Sequence, residues 1–62
     1  MNTYTDFLNK NLKGHCKIKM AWRDGLNFYA YFVGLVTIPD YHTVKTEAEK
    51  LMPGCKIFLN CL

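Results

Sequence analysis

The chain contains no serine, so no Ser-His-Asp arrangement can be assembled from it. Its three cysteines are an odd number, which argues against a secreted disulfide framework, and no Cys-x-x-Cys or His-x-x-x-His spacing suggests a zinc site. Carboxylates are scarce, five against eight Lys and Arg, and the formal net charge is +3. Glu47 and Glu49 stand two apart in a predicted helix and diverge, so they do not form an acid-base pair. His15 and Cys16 are neighbours in an extended run and point to opposite sides, which prevents a nucleophile-base pair. No apolar region of the signal-peptide kind follows Met1. The longest nearly apolar run, Leu26 to Ile38, is interrupted by Asn27 and Thr37 and is shorter than the ~20 residues of a membrane-crossing helix. The expectation is a cytoplasmic, non-enzymatic protein with no cofactor, no metal and no membrane span.

What is present is a folded composition. Half of the 62 residues are hydrophobic and 15% are aromatic, with only two prolines and four glycines. That is too apolar for a disordered chain. Starting at Met1, residues 1–62 read as one complete small domain, basic overall, and a domain of this size buries only about 60% of its unfolded surface.

Hydrophobic periodicity divides the chain into five elements. Thr3 and Asp6 open a short helix whose stripe is Tyr4, Phe7, Leu8 and Leu12, with Gly14 as its stop. From His15 the period becomes two, and Asp24-Gly25 predicts a tight hairpin turn into a second strand over 26–36. Gly34 marks a bulge or a close approach. Ile38-Pro39-Asp40 ends that strand, and Thr43 caps a second helix carrying Val44, Ala48, Leu51 and Met52 on one side. Pro53-Gly54 stops the helix, and residues 55–62 alternate again. The expected fold is α+β, in the order α-β-β-α-β, with two short helices and a three-stranded antiparallel sheet of order 2-1-3. Strand three then pairs with strand one, setting Cys16, Ile18, Met20 and Trp22 opposite Cys61, Leu59, Ile57 and Cys55. The long apolar edge of strand two would be left free for a partner strand.

This arrangement predicts two unlike sheet faces. Cys16, Ile18, Met20 and Trp22, with Tyr29, Tyr31 and Val33, form the expected core face, and all three cysteines fall on it. The other face combines cations with flat rings, and its candidate binding residues are Lys17, Lys19, Arg23, Phe28, Phe32, Lys56 and Phe58. Rings of this kind can stack single-stranded bases while cations hold phosphates, although no recognisable nucleic-acid motif accompanies them. The competing structural reading is that Phe7, Leu8 and Leu12 of the first helix cover Phe28, Phe32 and Phe58, with the lysine stems lying along the rim.

No specific family is recognised. In layout alone, the hairpin, the run Thr43 through Glu47-Ala48-Glu49 to Pro53-Gly54 and the closing strand resemble compact phage-encoded inhibitors of host enzymes, such as those of bacterial RNA polymerase. The resemblance spans about the last two-thirds of the chain and carries over no partner. The leading expectation is a small binding module, a phage or mobile-element type accessory protein that inhibits or modulates a host protein by covering its surface. The alternative is RNA or single-stranded DNA binding through the basic-aromatic face. A third reading is a homodimer that buries that face.

Overall fold

A helix of 14 residues connects the second strand to the third, and that connection decides the sheet topology. The computed structural model describes residues 3–62 as α1 (Thr3–Asn9), β1 (Cys16–Asp24), β2 (Asn27–Gly34), α2 (Ile38–Leu51) and β3 (Lys56–Cys61). The α+β class and the element order are as the periodicity suggested. The sheet is not. Its order is β1-β2-β3, with β1 antiparallel and β3 parallel to β2. A helical crossover returns the chain to the starting end of the sheet, so β2-α2-β3 closes as a parallel unit. The expected pairing of strand three with strand one, including Cys16 opposite Cys61, is therefore corrected: β2 lies between them. A Cys16–Cys61 bridge is excluded on the same ground, because two strand spacings place the Cα atoms roughly 10 Å apart, beyond the ~7 Å limit.

Helix α2 begins well before Thr43. Thr37 is its N-cap, with Oγ1 accepting from the Asp40 N–H at 3.3 Å, and Pro39 sits in the first turn, where no N–H is required. Thr43 lies inside the helix, its hydroxyl donating to the Pro39 carbonyl at 2.9 Å. Val44, Ala48 and Met52 are buried, whereas Leu51 is exposed.

The hairpin turn also moves by one residue. Asp24 pairs with Asn27, so the two-residue loop is Gly25-Leu26. Only Gly25 of the pair takes positive φ, +63°, which suits a turn with glycine first. At the far end Gly34 has φ +96°, and a Cβ there would lie 2.6 Å from the His15 carbonyl oxygen. Only glycine fits that approach without displacing backbone.

The feature with the widest effect is a bulge in β1. Ile18 pairs with Phe32 but Met20 pairs with Tyr31, leaving Lys19 as the extra residue. Because side chains alternate, one inserted residue reverses the facing of everything beyond it. Cys16, Ile18 and Ala21 thus point to the same side as Phe28, Ala30 and Phe32, and all six are buried. Both helices pack on this side: Leu8, Val44, Ala48 and Met52 complete the core, and Tyr4 meets Phe28 edge-on at 5.2 Å. Each fully buried phenylalanine contributes about 1.5–3 kcal/mol of burial.

Candidate functional site: the open face of the sheet

Beyond the bulge, Met20 and Trp22 face away from the helices, together with Tyr29, Tyr31 and Val33 of β2 and Lys56, Phe58 and Asn60 of β3. Among the described residues no element covers this side. Met20, Trp22 and Phe58 remain 46%, 39% and 40% exposed. The rings form one cross-strand row. Trp22 stacks on Tyr29 with centroids 5.3 Å apart and planes 22° apart, and Tyr29 stacks on Phe58 at 5.2 Å and 16°. Tyr31 joins Trp22 diagonally at 5.6 Å and 27°. At such separations near-parallel rings overlap in offset stacks rather than lying side by side. Tyr29 therefore has a neighbour on each strand, while the row ends at Phe58 on β3 and at Trp22 on β1.

Charge on this face is of one sign over most of its area. Lys17 opposes Val33 and Lys56 opposes Asn27, so both register onto the open side, and among the described residues the only acid there is Asp24 at the turn. Lys19 is exposed at the bulge. Arg23 registers onto the helix side, opposite Phe28, and its Nε donates to the Gly25 carbonyl at 2.8 Å across the turn.

The seven residues singled out from the sequence are thus separated. Lys17, Lys56 and Phe58 share the open face. Phe28 and Phe32, at 0% and 1% exposure, are core, and no binding role remains for them. Tyr4 of the first helix does cover Phe28, but Phe32 stacks against Tyr41 of α2, and Phe58 stands on the opposite side of the sheet. The residues missed are Met20, Trp22, Tyr29 and Tyr31, which strict alternation places on the expected core face. One signal could have found the tyrosines: a phenolic hydroxyl needs a polar partner or water, whereas phenylalanine does not, so Phe28 and Phe32 were the better core set.

Other chemistry-bearing groups do not converge. Among the described residues no three of His, Cys, Asp and Glu come together as a metal site. The cysteines are unpaired and differ in burial: Cys16 is buried, Cys55 intermediate and Cys61 exposed, although Cys61 registers with Phe32 on the helix side. The Cys16 thiol donates to Asp40 Oδ2 at 3.8 Å, and Asp40 is itself only 2% exposed. Burial first, then the charge of Asp40 and the hydrogen bond to it, push the Cys16 thiol upward, so it stays protonated and unreactive at neutral pH. A shallow hollow along α2 is lined by His42, Thr43, Thr46, Glu47 and Lys50 of that one helix. Among the described residues, no helix is long and apolar enough to cross a membrane.

Compared with family models, with curated proteins and with solved structures, the chain finds no match. The open face must therefore be interpreted from its own chemistry.

Proposed function

We propose that the chain is a non-enzymatic binding module that covers a surface of a larger host protein with its Trp22–Tyr29–Phe58 face. The observation that carries this reading is a three-strand aromatic row left uncovered while both helices crowd the other side. Aromatic residues and Met at a patch centre, with charge at its rim, are the composition of protein interfaces. The way the rings stand favours a protein over bases. Tyr29 already stacks on a ring to either side, so intercalating bases would have to displace those contacts. The accessory character, of the kind encoded by phages or mobile elements, rests on small size and layout. A cytoplasmic setting is supported by three unpaired cysteines.

Affinity capture from host lysate, with and without nuclease, tests this reading when wild type is compared with Trp22→Ala. The expected result is a defined protein that survives nuclease and is lost in the variant. Capture abolished by nuclease, together with salt-sensitive binding of a single-stranded oligonucleotide, would transfer the face to nucleic acid.

A further inference from the structure

The two outer edges of the sheet are finished differently. On β1, Ile18 turns its N–H and C=O outward, and the Asn9 side chain takes both: Oδ1 accepts from the N–H at 2.6 Å and Nδ2 donates to the carbonyl at 3.1 Å. Ala21, the next outward residue, is engaged as well, and the bulge with Lys17 and Lys19 further obstructs that edge. These are the usual defences of an edge strand.

Among the described residues strand β3 has none of them past Lys56. The Lys56 N–H donates to the Leu26 carbonyl and the Leu62 N–H to the Phe32 carbonyl, which fixes the even-numbered residues as those bonded to β2. Ile57, Leu59 and Cys61 accordingly turn their N–H and C=O groups away from the sheet. Among the described residues nothing bonds to them. The segment from Ile57 to Cys61 contains no charge and no proline, and its pairing with β2 runs without a bulge.

We infer that β3 is a self-association edge, on which a second copy of this chain adds antiparallel to make a continuous six-stranded sheet. A two-fold axis at Phe58 satisfies both the backbone and the side chains. Ile57 and Leu59 then exchange backbone hydrogen bonds with Leu59 and Ile57 of the second copy. Phe58 meets its own symmetry mate in a non-hydrogen-bonded pair, where Cα atoms are only about 4.5 Å apart and side chains touch best. The ring row, which ends at Phe58 within one chain, would continue through the axis into the Tyr29 and Trp22 of the second copy. Lys56 lies opposite Asn60 of the second copy, so no like charges face each other, and Ile57 lies beside Leu59 on the helix side. Two open faces become one of twice the area. The inference does not depend on what that face binds, although Phe58 belongs to both the edge and the face.

Sedimentation equilibrium from about 1 μM to 1 mM tests it; a short edge contact of this kind belongs with small, weak interfaces. The weight-average mass should rise reversibly from 7.2 kDa toward twice that value. Phe58→Glu places two carboxylates across the axis and should weaken association at least tenfold while the far-UV spectrum is kept. In a Cys55→Ser, Cys61→Ser background, Phe58→Cys should form a disulfide-linked dimer on mild oxidation, which reads the register. On the wild-type chain, the amide signals of Ile57 and Leu59 should shift with concentration and gain exchange protection. A monomer mass throughout the range overturns the inference, as does a dimer in which those two amides stay unprotected.

Discussion

Asn9 offers a sharp test of how the β1 edge is closed. Its carboxamide makes two hydrogen bonds, 2.6 and 3.1 Å long, to one residue of β1, in a partly buried position. Asn9→Ala removes both and leaves the Ile18 N–H and C=O to whatever water reaches the edge. With each bond contributing about 0.5–1.5 kcal/mol net, the loss is about 1–3 kcal/mol. A 62-residue domain unfolds with an entropy of about 130 cal/mol/K, so this corresponds to a fall in Tm of about 8–23 °C. Asn9→Asp refines the test. One carboxylate oxygen still accepts from the N–H, but the other is pressed against the Ile18 carbonyl oxygen, which raises the folded-state pKa of the introduced carboxyl. Its protonated form can donate, so the variant's contribution is intact below the unfolded value of about 3.9 and lost as pH rises through the folded value. The Tm deficit against wild type should be full at pH 7 and shrink at pH 3. Thermal melts followed by circular dichroism at the two pH values decide the matter. An alanine variant within about 2 °C of wild type, or an aspartate deficit that does not narrow in acid, would refute the clamp.

The assignment of faces is checked by urea denaturation. Phe28→Ala should cost about 3–5 kcal/mol, enough to unfold a domain this small, whereas Trp22→Ala should lose little more than its ring contacts, each about 0.5–1.5 kcal/mol. The reverse ranking would exchange the two faces. Gly34→Ala forces a Cβ against the His15 carbonyl at positive φ and should lower the Tm by more than 10 °C, about 1.5 kcal/mol or more for a chain of this length; a smaller drop would mean that the backbone there yields. The buried Cys16 thiol resists ionisation in the folded state, so its stabilising contribution is present below the unfolded thiol value near 8.5 and lost as pH rises through the folded one. The urea midpoint should therefore fall between pH 8 and 10 more steeply in wild type than in Cys16→Ala, and parallel curves would contradict this.

Element types were legible because each rests on local pattern. The alternation from His15, the stripe Val44-Ala48-Met52 and the stop at Pro53-Gly54 all describe residues close in sequence. The cap of helix α2, Thr37, lies six residues before the one expected at Thr43, because proline in a first turn behind a threonine cap starts a helix as readily as it ends a strand. Strand order was not legible. An alternating strand matches any other alternating strand in many registers, so the agreement of four apolar pairs with strand one carried no weight against a helical crossover. The binding face was half legible. Lys17, Lys56 and Phe58 are where alternation puts them, but a bulge leaves no composition signature, and strict alternation through Lys19 sent Met20 and Trp22 to the wrong side.

That bulge also separates two kinds of change that look equally small in a gene. Lys19 is exposed, so exchanging it for another residue should pass almost unnoticed. Deleting it only straightens the strand and keeps Cys16, Ile18 and Ala21 on the core side. Inserting one more residue beside it, which the single bulge does not absorb, brings Cys16 and Ile18 into phase with Met20 and Trp22, and the strand must then either sink two large side chains into a filled core or lift two core residues into water. The absorption of Lys19 in a bulge, more than the composition of β1, keeps the sticky side of this sheet on the outside. Variation in this strand should accumulate as substitutions or as loss of the bulge residue, and almost never as single-codon gains.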